Sequence, residues 1–246
     1  MPNLIQSRGL PAIVVAIVFA VVARVMGAVT DGGAVAGIAV AFVLIVAAGF
    51  AGFLPLLAVF LLTIGCTRWG YARKQRLGVA ERRHGRRALQ VLANLGPAAL
   101  SALPVIWFPE LSHLFLVGTS AALAEAAADT VSSEVGQATA RSAYMITDFR
   151  DAPIGTNGAI SVEGTISGCV AACIISWISA AYGIVDWRWT FVIAFAAIAG
   201  MFLDSVMGAT WENAGRMGND SVNFVSNVFA ADAALIVVMI VGQFTT

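Results

Sequence analysis

Apolar runs long enough to cross a bilayer recur along the whole chain, and they constrain its fold more than any other feature. A bilayer core of about 30 Å takes roughly 20 apolar residues as an α-helix. Because lipid offers no partner to backbone N–H and C=O groups, a spanning chain must form helices or a closed barrel. Barrel strands alternate apolar and polar residues, and these runs do not alternate. The runs therefore predict an all-α fold, a polytopic transmembrane helical bundle.

Composition agrees with a membrane protein and argues against a nucleic-acid partner. Hydrophobic residues make up 59% of the chain and charged residues 11%, whereas soluble domains have roughly 45–50% and 25%. The net charge is zero, and no basic arm with interleaved aromatic residues is present. Cys66, Cys169 and Cys173 lie in apolar stretches without metal-ligand spacing. We expect these cysteines to pack as small hydrophobic residues.

We expect about eight spans, or about six at the fewest, in one integral membrane domain over residues 1–246. The first apolar stretch could be mistaken for a signal peptide, but it contains Arg24 and lacks a clear cleavage site, so we expect it to be retained. Pro97 and Pro104 interrupt the fourth stretch, which can be kinked or only partly inserted. The predicted segments are 10–26, 33–49, 52–67, 88–107, 112–135, 158–182, 187–211 and 222–243.

Basic residues predict the orientation of the bundle. Eight of the fourteen Lys and Arg residues lie between Arg68 and Arg87, and loops rich in Lys and Arg face the cytoplasm. Counting helices from that loop places the segments 136–157 and 212–221 on the same side, and both termini on the other. The motif-rich loops are therefore expected to share the cytoplasmic face.

Three carboxylates interrupt an otherwise small and apolar helix, AALAEAAADTVSSEVG at residues 121–136. Each charge at membrane depth costs about 2.5–3.5 kcal/mol on insertion scales. Glu125 and Asp129 are four residues apart and share a helical face, where they can hold Mg²⁺ or supply a base, unless they are simply polar helix contacts. Glu134 would point about 140° away from Asp129 on a straight helix. Either the helix unwinds there or Glu134 serves another wall.

A glycine-rich segment, PIGTNGAISVEGT at residues 153–165, is a candidate phosphate site. Glycines let backbone N–H groups converge on an anion, and a following helix N-terminus adds favourable dipole charge. The segment is not a Walker A sequence, and a plain turn before a helix looks similar. The glycine pattern alone therefore leaves both interpretations open.

Other polar residues can face the same cavity. Lys74 is the only lysine, and its ammonium can bind phosphate, although the basic loop also sets topology. Arg87, Gln90, Asn94 and Ser101 lie near one face of the fourth segment. Later polar positions within or beside spans are each more often buried hydrogen-bonding residues than ligands, but together they predict a polar cavity. They are Asp204, Ser205, Asn223, Asn227 and Asp232.

The order of these motifs resembles a known family. TRWGYARKQRLG, RRALQVLANLG, AEAAADTVSSEVG, PIGTNGAISVEGT and LDSVMGA follow one another between about Thr67 and Asn227. They resemble an integral membrane family, long labelled only as a domain of unknown function, that includes plant phytyl-phosphate kinase and a human transmembrane relative and is distantly similar to phytol and dolichol kinases. The resemblance implies a CTP-dependent prenyl-phosphate kinase that uses Mg²⁺. The motif-bearing part is expected at residues 67–232.

The resemblance also implies roles for individual residues. The D-T-x-x-S-E-x-G pattern falls on Asp129 and Glu134, and the later acidic position falls on Asp204. These three carboxylates are the expected Mg²⁺ ligands and, with Lys74, the expected catalytic residues; Glu125 is a further metal candidate. Ala159 and Glu163 depart from the family pattern and affect the expected shape of the turn. The expected nucleotide and phosphate contacts are Lys74, Arg87, Asn94, Gly155, Thr156, Asn157, Gly158, Ser161, Asn223 and Asn227.

The expected function is therefore the phosphorylation of a prenyl monophosphate by a nucleoside triphosphate, with the lipid substrate arriving from the bilayer. A transporter is an alternative, because acidic residues and glycine-broken segments also mark transport pathways. A cytidylyltransferase that makes a CDP-lipid is another. The sequence is compatible with a homo-oligomer.

Overall fold

The computed structural model describes residues 4–80 and 85–242, and most of these residues are helical. Arg82 and Arg83 of the basic loop lie outside the described residues. The helices are α1 (Leu4–Val25), α2 (Asp31–Ala48), α3 (Phe53–Arg68), α4 (Tyr71–Leu77), α5 (Ala88–Ala102), α6 (Ser112–Thr139), α7 (Val162–Ala181), α8 (Thr190–Met207) and α9 (Asn219–Gly242). The strands are β1 (Ala143–Met145), β2 (Asp151–Ala152) and β3 (Ala159–Ile160).

The predicted all-α bundle with eight spans is confirmed. Within the described residues, eight helical segments are long and apolar enough to cross a membrane. Short helical turns extend several of them, as where Phe50–Gly52 precedes α3 and Leu103–Ile106 follows α5. The fourth segment passes Pro97 within α5 and tightens to a 3₁₀ turn at Pro104. The chain is therefore a multi-pass integral membrane protein.

Helix α6 lies at the centre of the bundle. It packs against α3, α5, α7, α8 and α9, and its small residues allow these helices to approach closely. At Gly168 of α7, for example, an added Cβ would lie 2.8 Å from the Ala128 carbonyl oxygen of α6. The carboxylate-bearing segment is thereby enclosed by protein rather than lipid.

Two boundaries differ from the expected ones for identifiable reasons. Helix α1 begins at Leu4 rather than near residue 10, and the Arg8 guanidinium donates to the carbonyls of Val46 (3.1 Å) and Ala47 (3.3 Å) at the end of α2. These bonds satisfy carbonyls that a helix end leaves without partners. Helix α7 begins at Val162 rather than 158, because Ser161 caps it by accepting from the Gly164 N–H at 3.1 Å.

A small antiparallel sheet occupies the connection between α6 and α7, which the sequence analysis treated as a loop. Its strand order is β2-β1-β3, with Tyr144 paired to both Asp151 and Ile160. The glycine-rich turn joins β2 to β3, so the sheet holds this turn over the bundle.

The order of the spans places three connections at one end of the bundle, and their described residues are 69–80 with 85–87, 140–161 and 213–218. The short connection between α1 and α2 lies there too, since the Arg86 N–H donates to the Ala28 carbonyl at 2.9 Å. We refer to this end as the motif end. Its assignment to the cytoplasm remains a prediction from the positive-inside rule.

We expect single cysteines introduced at Gln75, Asp148 and Gly215, in a background without the native cysteines, to react with a membrane-impermeant maleimide from the cytoplasmic side only. A cysteine at Trp187, at the opposite end, is the matched control and should react from the other side. Labelling would be measured on intact cells and on inverted vesicles. Opposite accessibility of any two of the three motif-end positions would contradict the shared face.

Candidate functional site

A polar cavity of about 240 Å³ lies at the motif end. It is bounded by α5, α6, the connection from Ile154 to Ser161, the end of α8 and the start of α9. The sequence-predicted residues that line it are Asn94, Asp129, Glu134, Gly155, Thr156, Asn157, Gly158, Ser161, Asp204 and Asn223. Motifs separated by more than a hundred residues therefore converge on one space.

Asp129 and Asp204 lie on adjacent helices and face each other. One helical turn below them, Gly200 of α8 lies against Glu125 of α6, whose Cγ would be 2.7 Å from a Cβ added at that glycine. Spans α6 and α8 run in the same direction, so a step of four residues on each helix brings Asp129 opposite Asp204. Two carboxylates that share one cavity repel each other unless a cation or a proton lies between them.

Amide and hydroxyl groups hold Asp204 in place. With the Asn223 amide in the orientation that satisfies both of its ends, Asn223 Nδ2 donates to Asp204 Oδ2 at 3.1 Å, and Asn223 Oδ1 accepts from Asn94 Nδ2 at 3.2 Å. Ser226 Oγ donates to the same Asp204 oxygen at 3.2 Å. Asn94 Nδ2 also donates to the Gln90 carbonyl at 2.9 Å. This network links α5, α8 and α9 around one carboxylate.

The glycine-rich turn packs against the end of α8. Gly155 and Gly158 have φ angles of +86° and +77°, which residues with a Cβ rarely adopt. A Cβ at Gly158 would also collide with Ala209. Asn213 Nδ2 donates to the Asn157 carbonyl at 3.2 Å. The contacted segment directly after α8, Gly208–Glu212, is a π-helical turn, a feature frequent at functional sites.

Arg86 supplies the positive charge of the cavity wall. Its side chain lines the cavity and acts electrostatically on Asp129. Its backbone is held by the connection between α1 and α2, because the Thr30 N–H donates to the Arg86 carbonyl at 3.0 Å. Arg87, the residue chosen by the sequence analysis, is exposed and does not line the cavity.

Lys74 is fully buried beside the cavity, in an ion pair with Glu134. Its Nζ lies 2.5 Å from Glu134 Oε2 and donates to the carbonyls of Cys66 at 2.9 Å and Thr67 at 2.8 Å. An ammonium has three N–H donors, and each has an acceptor here. Thr67 Oγ1 donates to the second Glu134 oxygen at 3.0 Å. Lys74 thus joins α4 to the end of α3 and to α6, with no N–H left for a phosphate in this arrangement.

The structure decides between the two alternatives for Glu134, an unwound helix or a role in another wall. Helix α6 continues without unwinding to Thr139, and Glu134 serves the wall formed by α3 and α4. Its metal-ligand role, like the phosphate role of Lys74, stays a prediction.

Three further residues lie away from the cavity lining. Glu125 and Asn227 are buried deeper between the helices, and both carboxyl oxygens of Glu125 and Oδ1 of Asn227 have no hydrogen-bond partner within the described residues. Asp232 is exposed on the outer surface of α9. A buried carboxyl without a partner is unfavourable, and the polar side chains that lie nearest to Glu125 are those of Ser226 and Asn227 on α9.

The structure adds residues that the sequence analysis missed. Arg86 lines the cavity just before α5, Glu212 lines it at the end of the π-helical turn, and Asp220 lines it at the start of α9. Gln90, which the sequence analysis placed on the same helical face as Asn94, lines it as well. The spacing of Arg86, Gln90 and Asn94, four residues each, was a usable signal for a shared face. No comparable signal marked Glu212 or Asp220, which lie next to a turn.

The cavity fits Mg²⁺ held jointly by protein and substrate. Within residues 4–80 and 85–242, no group of three His, Cys, Asp or Glu side chains is arranged to hold a metal ion alone. However, Mg²⁺ commonly takes one or two carboxylates together with waters and substrate phosphates. The facing Asp129 and Asp204 supply that number of carboxylates.

Known proteins resemble this chain over most of its length. Residues 14–231 match the family described as Integral membrane protein DUF92. An uncharacterized membrane protein of Synechocystis is 34% identical over 192 residues, 77% of this chain and 74% of that protein. An uncharacterized membrane protein of Methanocaldococcus jannaschii is 31% identical over 189 residues, 76% of each chain.

A plant protein is also similar. The chloroplastic protein VTE6 of Arabidopsis thaliana is 29% identical over 218 residues, which are 84% of this chain and 66% of the plant protein. The chain thus matches about two thirds of that relative's length. No solved structure matches the chain.

We expect Lys74→Met to lower the free energy of unfolding by about 3–5 kcal/mol, because it leaves Glu134 buried without its cation. Adding Glu134→Gln to Lys74→Met should restore part of that loss, since the unpaired charge is removed. Arg76→Met, at an exposed position of the same helix, is the matched control and should change little. Thermal unfolding of the wild type and the three variants in detergent is the measurement. Equal stability of Lys74→Met and Arg76→Met would contradict the structural role of the pair.

Proposed function

The chain belongs to the integral membrane family DUF92, and we propose that it is a membrane-embedded prenyl-phosphate kinase. In this proposal, the enzyme transfers the γ-phosphoryl group of CTP to a prenyl monophosphate and forms the prenyl diphosphate. Relatedness to a plant phytyl-phosphate kinase is implied by the order of the motifs. The observation that carries the proposal is the polar cavity in which two facing carboxylates, an arginine and a glycine-rich turn converge.

Each wall of the cavity has a role suited to phosphates. Arg86 has a planar fork that binds phosphate oxygens bidentately. The missing Cβ atoms of Gly155 and Gly158 let the turn pack closely against Val79 and Ala209. The turn lines the cavity and would present backbone groups to an anion there. Asn94 and Asn223 supply amide groups beside Asp204. These residues would orient the two phosphate groups in line with each other.

Asp129 and Asp204 are the proposed Mg²⁺ ligands, with Glu134 holding the adjoining wall through Lys74. When bound, Mg²⁺ would neutralise charge on the nucleotide phosphates. The carboxylates themselves line the cavity and would repel anions that arrive without the cation. Glu125, one turn deeper, lies outside the lining and is proposed only as support for this floor.

The chemical step balances without a covalent enzyme intermediate. An oxygen of the prenyl monophosphate attacks the γ-phosphorus of CTP, a new P–O bond forms, and the bond from the γ-phosphorus to the bridging oxygen breaks. CDP leaves with the electron pair of that bond. Because the attacking phosphate is already largely ionised, positioning and charge neutralisation supply most of the catalysis and a strong general base is not needed.

Product analysis separates the kinase from its rivals. Purified protein would be incubated with Mg²⁺, a prenyl monophosphate and CTP labelled either in the cytosine or at the γ-phosphate. A kinase gives labelled CDP and a γ-labelled prenyl diphosphate. Release of pyrophosphate with the cytosine label in the lipid would identify a cytidylyltransferase, and the absence of any nucleotide product would favour transport.

We expect Asp129→Asn to reduce turnover by about 10²-fold or more while leaving the protein folded and inserted. Metal binding and charge neutralisation require the carboxylate charge, whereas Asn keeps the size and much of the hydrogen bonding. Asp232→Asn is the matched control, because it removes a carboxylate from a span but outside the cavity. Turnover would be measured at saturating Mg²⁺, and near-normal activity of Asp129→Asn would end its assignment as a ligand.

A further inference from the structure

A second cavity, of about 350 Å³, lies beside the polar one and differs from it in character. It is enclosed by α1, α2, α3 and α5 and touches α6 at Ala126. Its volume is within the range of about 300–1,000 Å³ typical of ligand pockets. We call it the apolar cavity. The proposed phosphate chemistry makes no use of it.

The apolar cavity runs along the bundle rather than across it. Its lining on α3 extends from Leu56 to Arg68, a separation of twelve helical steps that corresponds to roughly 18 Å. Phe19 and Phe60 lie at its deep part, with ring centroids 5.0 Å apart in an edge-to-face arrangement. Small residues of the lining, such as Ala20 and Gly37, leave its central space open. The shape is that of an elongated, hydrocarbon-lined pocket.

The polar residues of this cavity lie toward the motif end. Arg68 donates through Nη2 to the Met26 carbonyl at 2.5 Å and so joins the ends of α3 and α1. Arg86 and Asn94 line both the apolar and the polar cavity. The boundary between the two spaces is therefore marked by a cation and an amide. A molecule with an anionic head and a hydrocarbon tail fits this arrangement, with its head at the boundary and its tail in the apolar cavity.

We propose that the apolar cavity binds the hydrocarbon tail of the lipid phosphate substrate, while Arg86 and Asn94 hold its head at the entrance to the polar cavity. This inference rests on the proposed function and adds to it: the substrate tail is held inside the protein, so the cavity selects for chain length. The tail displaces no protein hydrogen bonds, because most of the lining is apolar. Burial of each methylene group raises affinity about fourfold, so affinity rises with length until the cavity is filled.

Gly37→Leu tests the proposal by filling the cavity. A Cβ at Gly37 meets nothing within 4 Å, and leucine has a better helix propensity than glycine, so the variant should fold. Gly96→Leu is the matched control, because Gly96 is also helical, also has nothing within 4 Å of an added Cβ, and lines neither cavity. Phe60→Ala changes the cavity in the opposite direction by enlarging its deep part.

Binding would be measured on purified protein without nucleotide, with labelled geranylgeranyl monophosphate as the long probe and dimethylallyl monophosphate as the short one. We expect Gly37→Leu to weaken binding of the long probe about tenfold and to leave the short probe nearly unchanged. Gly96→Leu should match the wild type for both. Phe60→Ala should favour probes longer than geranylgeranyl monophosphate, a gain that a merely unstable protein would not show.

Equal binding of the long probe by Gly37→Leu and Gly96→Leu would overturn the proposal, as would equal affinity of the wild type for both probes. This failure is distinguishable from failure of the kinase assignment. If CTP is consumed but chain-length preference is unchanged in Gly37→Leu, the tail site is wrong and the kinase assignment stands. If no CTP is consumed but the binding differences appear, the tail site stands and the kinase assignment is wrong.

Discussion

The enclosure of α6 is the constraint on which the rest of this structure depends. A helix with three carboxylates within ten residues is unfavourable in contact with lipid, so other helices must surround it. The packing of α3, α5, α7, α8 and α9 on α6 meets that requirement. The carboxylates then differ only in what their local neighbours provide. Glu134 has a lysine and a threonine, Asp129 faces a polar cavity, and Glu125 has no hydrogen-bond partner within the described residues.

Much of this arrangement was predictable from the sequence, because membrane spans obey simple rules of length and polarity. The number of spans and the shared end of the motif-rich connections follow from apolar runs and helix parity. Convergence of Asp129, Asp204, Asn223 and the glycine-rich turn followed from the rarity of polar residues in spans. The sheet β2-β1-β3 was missed, because strands of two or three residues leave almost no periodic signal.

The sequence did not indicate which of two neighbouring side chains lines the cavity. Arg86 and Arg87 are equivalent by composition, yet only Arg86 lines the cavity. The difference comes from the backbone of Gly85, whose φ of +78° and close contact with Val29 set the direction of the chain before α5. Likewise, nothing in the basic loop indicated that Lys74 would turn inward to Glu134, because that contact joins residues sixty positions apart.

Because Lys74 is buried, the positive charge that a phosphate could contact must come from another residue. With its three N–H donors engaged by Glu134 and two carbonyls, the lysine contributes to the shape of the bundle rather than to the cavity surface. Arg86 is then the cation at the boundary between the polar and the apolar cavity. A guanidinium suits that position better than an ammonium, because its planar fork can bridge two oxygens and is more weakly hydrated. Its carbonyl is bonded to Thr30 at the start of α2, and α2 also carries Gly37 in the wall of the apolar cavity. The same short connection therefore positions both the cation that we propose to bind phosphate and one wall of the proposed tail site. One element of the fold would thus hold both the head and the tail of an amphipathic ligand.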